Sequence, residues 1–340
     1  MARAGRNQEE NVSKKIPLTL ACGDYEIVRA LREGAVEPDG IELTILTDMD
    51  STARHWRFIR NRDFDMAETS GSSYIVARDQ GFPFMALPVF LHRRFRHGFV
   101  FINTKKGIRK PTDLIGRKIG IKSYLVSAGH WMRGILEHEY GVPHKSIEWF
   151  AELDEDIEFT PHPELKITRL PHHKSVETML AEGELDAVIH SSIIKPIIAR
   201  DLRVARLWPN FKDEEIAYYK KTGIFPIMHV LGIKQEVVER YPWVPINMFH
   251  AFNKSKAIAM RRLNNPRIVP LAWYREAWEE QEQVLGPDPW EYGLTEKNRH
   301  TLETLAGYSH EQGLTRRKMP LDELFVSVFQ GRKRGEEFRI

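Results

Sequence analysis

A basic segment between two apolar runs is the first part of the sequence that could do chemistry. It carries two histidines and three arginines within six positions, at His92, Arg93, Arg94, Arg96 and His97. A guanidinium can hold a carboxylate through two parallel hydrogen bonds, and an imidazole can give or take a proton near neutral pH. If the segment is extended, Arg94 and Arg96 share one face and His97 takes the other. The segment is therefore either a solvated connection or one wall of an anion site.

Two more histidines lie where strands are expected to end or begin. His229 follows residues 226–228 inside an otherwise apolar run, and His190 directly follows the apolar run 185–189. An unpaired imidazole is costly to bury, so a histidine in such a place is either a bonded core residue or part of a cleft. Because imidazole titrates near neutral pH, both residues are candidate proton donors.

Hydroxyl-bearing and aromatic side chains cluster in the loops after the predicted strands. In open α/β sheets, ligands bind at the carboxyl ends of the strands, where amides and hydroxyls at a helix start can receive an anion. A Ser or Thr in such a position is equally typical of a helix N-cap, and the two roles can coexist. The candidate binding residues of these loops are Tyr25, Thr69, Ser70, Ser72, Lys122, Ser123, Tyr124, Ser127, Ser191 and Ser192.

His162, His172 and His173 raise the question of a metal site. Adjacent histidines on an extended chain point to opposite faces, and the segment 161–171 contains no helical i, i+4 pair of ligands. The spacing is unspecific, and no metal site is predicted there. The histidines of the basic segment and His229 can still converge in space, so metal-assisted chemistry stays open.

The elements that must position these residues follow an alternating pattern. From Ile16 onward, short β-rich runs alternate with helical periodicity, which is typical of βα units and a mainly parallel sheet. The pattern predicts an α/β protein of two doubly wound lobes, joined by two hinge crossings and completed by C-terminal helices. Lobe 1 comprises residues 16–102 and 225–340, and lobe 2 comprises residues 103–224.

The individual elements are predicted from hydrophobic periodicity. Predicted strands are 16–22, 41–46, 64–68, 84–90, 98–102, 118–121, 166–170, 185–189 and 224–233. Predicted helices are 25–33, 53–61, one ending before Gly81, 127–140, 175–182, 243–262, 271–283, 298–311 and 321–329.

The composition limits the classes of function. Fifty Lys and Arg against 47 Asp and Glu give a formal charge of +3, too mild a bias to indicate nucleic-acid binding. No apolar run approaches the roughly 20 residues of a membrane helix. The single cysteine, Cys22, excludes an intrachain disulfide, and the apolar run 16–21 before it is too short for a signal peptide. We expect a cytoplasmic protein in which residues 1–15 form a disordered tail.

Particular stretches of the sequence resemble known proteins. KPTDLIGRKIG at 110–120 and EGELDAV at 182–188 resemble the type II periplasmic-binding-protein fold. FRH at 95–97, WMRGIL at 131–136 and TGIFPIMH at 222–229 are together similar to the 4,5-dihydroxyphthalate decarboxylase family, whose members use that fold for a cytoplasmic enzyme.

The resemblance implies loss of CO2 from a hydroxylated aromatic carboxylate, without an organic cofactor and with a divalent metal as an open option. It favours Arg96 as the carboxylate anchor and His229 as the proton donor, with His97 and His190 as alternatives. A non-catalytic solute-binding protein for a small carboxylate or sulfonate is the competing hypothesis. The apolar, aromatic C-terminal helices lead us to expect a homodimer, with neither nucleic acid nor membrane as a partner.

Overall fold

Two mixed β-sheets form the frame of the molecule. The structure is a computed structural model and describes residues 15–328 of the 340. The predicted tail, apart from Lys15, and the end of the last predicted helix at Phe329 lie outside the described residues. Within that range the strands are β1 (Ile16–Ala21), β2 (Ile41–Leu46), β3 (Met66–Ser70), β4 (Phe84–Leu87), β5 (Val100–Asn103), β6 (Lys118–Ile121), β7 (Glu148–Ala151), β8 (Lys166–Arg169), β9 (Ala187–Ile189), β10 (Val204–Arg206) and β11 (His229–Lys234).

The helices cover the faces of both sheets. Over the same range the α-helices are α1 (Arg29–Arg32), α2 (Ser51–Trp56), α3 (Gly71–Asp79), α4 (Ser127–Tyr140), α5 (Val176–Glu182), α6 (Lys195–Ile198), α7 (Phe211–Thr222), α8 (Gln235–Arg240), α9 (Val244–Leu263), α10 (Tyr274–Leu285), α11 (Glu296–Glu311) and α12 (Leu321–Leu324). A π-helical turn, Arg57–Asn61, extends α2. No helix in the described part of the chain is both long and apolar enough to cross a membrane.

The first sheet has the strand order β2-β1-β3-β11-β4. Strand β1 pairs in parallel with β2 and β3, whereas β11 runs antiparallel between β3 and β4. The strand that completes this sheet therefore comes from far along the chain, after the whole second sheet has been formed. This confirms the predicted architecture of two α/β lobes with a returning crossing.

The second sheet has the strand order β10-β5-β9-β6-β7-β8. Strands β9, β6, β7 and β8 are parallel, and β5 runs antiparallel to both β9 and β10. The predicted strand 98–102, assigned from the sequence to lobe 1, corresponds to β5 and pairs in the second sheet. The first crossing between the sheets therefore lies before Val100.

Some elements were not predicted from the sequence, namely β7, β10, α6, α7 and α8. Helix α7 buries Tyr218 but otherwise carries mostly charged and half-buried residues, so it lacks the apolar stripe that indicates an amphipathic helix. Its position matters for the site, because it packs against the turn His97–Phe99 that follows the basic segment.

The two crossing segments lie side by side between the sheets. The Arg94 N–H donates to the Pro226 carbonyl at 3.1 Å. The Met228 N–H donates to the His92 carbonyl at 2.9 Å. Residues 224–228 are therefore bonded to the other crossing and do not extend β11, which begins at His229 and not at 224 as predicted. This pairing is what brings the basic segment next to His229.

Helix α10 passes outside the cleft and contacts both lobes. It has no buried residue, although Tyr274, Trp278 and Leu285 on one side are half-buried. Glu280 of α10 forms an ion pair with Lys212 of α7. The ion pair thus joins the C-terminal part of the chain to the second lobe.

Candidate functional site

A fully buried carboxylate, Glu68, lies at the centre of the site. It sits on β3 beside β11 and accepts four hydrogen bonds. Its Oε2 accepts from the Gly23 N–H at 2.8 Å and from Arg54 Nη2 at 2.7 Å. Its Oε1 accepts from the Tyr25 hydroxyl at 2.7 Å and from His229 Nδ1 at 2.6 Å. Both oxygens are therefore fully engaged within the protein.

The charge of Glu68 follows from these partners. Burial alone would raise the pKa of this carboxyl, but the charge and hydrogen bond of His229, with the charge of Arg54, hold its pKa well below the usual range. Burial and the neighbouring carboxylate raise the pKa of Tyr25, which keeps its hydroxyl a donor. With Nδ1 of His229 directed at an anion, Nε2 is the ring nitrogen left for a bound ligand.

Three imidazoles meet at this point. The ring of His229 lies edge-on to His92, with centroids 4.6 Å apart, and edge-on to His55 at 4.8 Å. Burial and the charge of His229 lower the pKa of His92 to about 2, and the same causes hold the pKa of His55 well below its ordinary value. His92 and His55 are therefore neutral near pH 7. Of the three rings, only His229 is hydrogen-bonded to a carboxylate among the described residues, and His55 Nδ1 is 3.9 Å from Asp156 Oδ2.

The fold positions these groups from separate segments. Helix α2 carries Arg54 and His55, and the Asp50 side chain caps that helix by accepting from the Ala53 N–H at 2.9 Å. His92 belongs to the first crossing, and His229 begins β11. The pairing of the crossings and of β3 with β11 brings side chains far apart in sequence into one cluster.

A cavity of about 380 Å³ opens in front of His92. Its size falls in the range of small-molecule sites. Five aromatic rings and three charged groups besides His92 contribute to its lining. The lining residues are Tyr25, Leu91, His92, Arg93, Arg94, Phe95, Phe99, Glu215, Phe225 and Trp290. The arrangement suits a flat anionic molecule, which the rings can sandwich and an arginine can hold.

The three arginines of the basic segment have different surroundings. Arg96 is buried, with Nε donating to Met228 Sδ at 3.0 Å and Nη1 donating to the Ser191 carbonyl at 3.1 Å. Among residues 15–328, Arg96 has no acidic partner within ion-pair distance, and burial lowers its pKa to about 9. Arg94 is exposed at the cavity wall. Arg94 is therefore open to an anion in the cavity, whereas the buried Arg96 is not among the residues that line it.

Arg93 has a structural role instead. Its Nη2 donates to Asn298 Oδ1 at 2.5 Å and to the Glu291 carbonyl at 2.9 Å, which ties the first crossing to the C-terminal part of the chain. Arg93 also lines the cavity beside Arg94, but it is buried and its Nη2 is used in these structural contacts.

The structure separates His97 from the imidazole cluster. Its ring is completely buried among Tyr140, Trp208 and Tyr218, and neither ring nitrogen has a hydrogen-bond partner in the described part of the protein. Burial lowers its pKa to about 4. No ring contact joins His97 to His229 within residues 15–328. Its surroundings are those of an aromatic core.

His190 also lies apart from that cluster. It closes β9, and its Nδ1 accepts from the Ser192 N–H at 3.0 Å. Its Nε2 is 3.8 Å from Glu177 Oε1, beyond hydrogen-bond distance, and burial lowers its pKa. The loop that it shares with Ser191 still approaches the site, because the Ser191 carbonyl accepts from Arg96.

Three of the predicted serines meet between the lobes. Ser70 Oγ lies 2.8 Å from Ser127 Oγ, and the Ser72 N–H donates to Ser127 Oγ at 3.2 Å. The Ser72 hydroxyl donates to the Leu125 carbonyl. These buried contacts join the start of α3 to the start of α4, so the structure brings the serines together in bonds to one another.

The other predicted loop residues have varied positions. Lys122 pairs with Glu152 at 2.6 Å, and Ser123 is half-buried. The Tyr124 ring is buried in lobe 2 under the guanidinium of Arg133, 3.8 Å from the ring centroid. Thr69 lies next to Glu68 with its hydroxyl buried and without a partner in the described residues.

The site contains residues that sequence reasoning missed, namely Arg54, His55, Glu68 and Glu215. Glu68 ends a predicted apolar strand, and a carboxylate in such a run must find partners if it is buried. That signal was present in the sequence. Glu215 lies in a strongly charged helix, where nothing distinguishes it from its neighbours.

The described part of the chain presents no group of donors suited to a metal ion. Among residues 15–328, no three His, Cys, Asp or Glu side chains are arranged to hold one. His162, His172 and His173 are exposed. In the imidazole cluster, the oxygens of Glu68 are already bonded to Tyr25, Arg54, His229 and the backbone.

Comparison with known proteins places this site in a family. The family model described as NMT1/THI5 like matches residues 27–148. The periplasmic aliphatic sulphonate-binding protein SsuA from Escherichia coli superposes with a TM-score of 0.54 and 11% identity over 95% of this chain and 96% of that one. The likeness shows a shared periplasmic-binding-protein-like fold.

Two curated relatives carry the same name. The 4,5-dihydroxyphthalate decarboxylase of Comamonas testosteroni is 32% identical over 320 residues, which cover 92% of this chain and 96% of the relative. The protein of the same name from Pseudomonas putida is 34% identical over 189 residues, or 54% of this chain and 73% of the relative. With a match of this extent along nearly the whole chain, the protein belongs to the 4,5-dihydroxyphthalate decarboxylase family.

Proposed function

We propose that the protein removes CO2 from a hydroxylated aromatic carboxylate of the phthalate type in the cavity beside His92. The Glu68–His229 pair is the observation that carries this proposal. A site that only captures an anion needs positive charge, but it does not need an imidazole fixed by a buried carboxylate. A decarboxylase needs such a group, because a carbon atom must be protonated when CO2 leaves.

Substrate binding in this proposal uses the arginines and the aromatic walls. Arg96 anchors the carboxylate, since it is a buried guanidinium without an acidic partner among the described residues, and Arg94 assists from the cavity wall. Phe95, Phe99 and Phe225 provide apolar surface for the ring of the substrate. The anion is thereby held by charge-assisted hydrogen bonds in a partly desolvated site.

The chemical step is a proton replacing CO2. The bond between the ring carbon and the carboxylate breaks, CO2 departs, and the electron pair left on the carbon takes a proton from the His229 imidazolium. Glu68 stabilises the charged imidazole and fixes its orientation through Nδ1, and His229 then regains a proton from water. His92 is neutral and lines the cavity next to His229. The scheme requires no organic cofactor.

The test is a decarboxylation assay on the full chain. Purified protein is incubated with 4,5-dihydroxyphthalate in D2O, with and without added divalent metal, while CO2 is measured and the product is examined by NMR. We expect stoichiometric CO2 and one deuterium at the vacated carbon. Protein that binds the compound under both conditions but releases no CO2 would contradict the proposal.

A matched pair of variants tests the role of His229. We expect His229→Asn to lower the CO2 release rate at least about 100-fold, the usual contribution of a positioned acid or base, while substrate binding persists. His250→Asn is the control, because His250 is exposed on α9. Equal rates in the two variants would remove His229 from the mechanism.

The second candidate is a binding protein for a small carboxylate or sulfonate. The fold and the buried Arg96 without an acidic partner in the described residues favour it. It predicts tight binding of phthalates or alkanesulfonates with no turnover, so the same assay separates the two candidates.

We also propose that the protein works in the cytoplasm as a homodimer. The exposed Leu271 and Trp273, which are 65% and 76% accessible and precede α10, provide apolar surface for a second copy. Light scattering on the purified chain tests the dimer, and cell fractionation tests the location. A monomer at micromolar concentration would contradict the first, and export of the native protein would contradict the second.

A further inference from the structure

One carboxyl group lies in the wall of the cavity. Glu215, on α7, lines the cavity together with Arg94, and its Oε1 accepts a hydrogen bond from the Gly98 N–H at 3.1 Å. Within residues 15–328 it forms no ion pair, in contrast to Lys212 one turn earlier, which pairs with Glu280. The carboxyl is thus held by the backbone and faces the cavity.

The pKa of Glu215 allows its side chain both to donate and to accept hydrogen bonds. Burial raises its pKa to about 7, although the Gly98 N–H and the charge of Arg96 act in the opposite direction. Near neutral pH the group can therefore accept a hydrogen bond as the carboxylate or donate one as the acid.

Glu215 is an acidic group in a cavity that otherwise suits anions, so its presence there needs an explanation. A ligand that presented only carboxylates and a bare ring would be repelled by the charged form of Glu215. A ligand that also presents a hydroxyl group would satisfy it, because the hydroxyl can donate to the carboxylate or accept from the acid. The rings of Phe95, Phe99 and Phe225 offer such a hydroxyl no polar group, and Glu215 is the one acidic side chain among the residues that line the cavity.

We propose that Glu215 is a specificity-determining residue that hydrogen-bonds a ring hydroxyl of the substrate while an arginine holds its carboxylate. The inference rests on the proposed function, since it takes the cavity to be the substrate site. A site built to bond a hydroxyl rejects the analogue that lacks it, because the buried polar group is then left unpaired. The protein therefore selects hydroxylated rings over bare phthalate.

The experiment compares two ligands on matched variants. Dissociation constants for 4,5-dihydroxyphthalate and phthalate are measured by calorimetry on the full chain carrying His229→Asn, the variant expected to bind the substrate while CO2 release is strongly slowed. We expect this protein, with Glu215 in place, to prefer the hydroxylated ligand at least about tenfold, as the loss of one buried hydrogen bond implies. Glu215→Leu should bring the two constants within about twofold of each other, by loss of that bond.

Two further variants separate hydrogen bonding from charge. Glu215→Gln removes the charge but keeps a donor and an acceptor, so it should retain most of the preference. Asp213→Asn removes an exposed charge from the same helix and should leave the preference unchanged. Glu215→Ala replaces the leucine variant if that protein does not fold. If Glu215 acted through its charge alone, Glu215→Leu would change both dissociation constants by the same factor and leave their ratio as it was.

The outcomes distinguish this inference from the proposed function. If the preference persists in Glu215→Leu while the unchanged protein releases CO2, the inference is wrong and the decarboxylation stands. If the preference disappears in Glu215→Leu while no CO2 is released, Glu215 still selects the ligand and the decarboxylation is wrong. If neither ligand binds the unchanged protein, both are wrong.

Discussion

His229 Nδ1 lies 2.6 Å from Glu68 Oε1. The two residues are 161 positions apart in the sequence and belong to adjacent antiparallel strands. Glu68 is completely buried, and His229 keeps part of its ring accessible. The pair therefore joins a protected charge to an imidazole that a ligand can reach, and its removal should affect catalysis more than binding.

Glu68→Gln tests that relationship. The substitution keeps the shape but removes the charge that stabilises an imidazolium, so we expect CO2 release to fall about 100-fold or more with little change in substrate affinity. It also leaves Arg54 buried without its counter-ion, which should lower the free energy of unfolding by about 3–5 kcal/mol. Single-turnover kinetics and urea unfolding measure the two effects.

Two other variants serve as controls for that experiment. Asp65→Asn alters a half-buried carboxylate nearby that accepts from Thr19, and it should spare the rate. Tyr25→Phe removes one donor to Glu68 without changing any charge, and it should reduce the rate by about tenfold at most. A Glu68→Gln protein with full activity would show that the pair has no catalytic role.

The arginines should differ in their effect on affinity. Arg96→Gln removes the buried guanidinium and should weaken substrate binding by about 10- to 100-fold, the equivalent of one or two charge-assisted hydrogen bonds. Arg94→Gln should weaken it less, because that side chain is exposed. Calorimetric titration measures both, with Arg109→Gln as an exposed control. An Arg96→Gln protein that binds normally would leave Arg94 as the anchor.

His97 should govern stability in acid and not catalysis. Its pKa is about 4 in the folded protein, below the ordinary value of 6.5, so the unfolded chain binds the proton first. Stability is therefore full above pH 6.5 and falls as the pH drops toward 4, by about 3 kcal/mol in total from this group. His97→Phe should keep activity and flatten this loss, as measured by urea unfolding at pH 7.5 and pH 5. A strong loss of activity at pH 7.5 would instead return His97 to the candidate proton donors.

Trp131 should be needed to hold the returning crossing. Its Nε1 donates to the Ile227 carbonyl at 2.8 Å, two residues before His229, and its ring is fully buried. Trp131→Phe leaves that carbonyl unpaired and a small cavity, so we expect a loss of about 2–3 kcal/mol in the free energy of unfolding. Trp273→Phe is the exposed control. Equal unfolding free energies for the two variants would mean that this contact is dispensable.

The sheets could be predicted from the sequence because their strands are apolar runs with turn residues between them. The return of β11 to the first sheet could be inferred from the helical character of all that follows it, but its antiparallel direction could not. The position of β5 could not be predicted. An apolar strand such as Val100–Asn103 would be buried in whichever lobe it joined, and its place depends on long-range pairing with Ala187–Ile189. Periodicity reports burial, and it does not report which neighbour provides it.

The site was predicted in part for a similar reason. His229 stood out as a polar residue in an apolar run, and the basic segment stood out by charge. Glu68, 161 positions from His229, offered the same signal, but its partners lie on three other segments and only the fold brings them together. Arg54 and His55 belong to a short polar helix, where residues of these types are common and carry no signal of their own.

The bonded pair of crossing segments has a mechanical consequence. His92 and His229 both belong to these segments, so they lie at the pivot about which the two lobes would swing. Displacement grows with distance from a pivot, so elements far from these segments would move furthest, while the imidazoles would hardly change their separation. The lobes of this fold can therefore open to admit a molecule while the proton donor keeps its alignment.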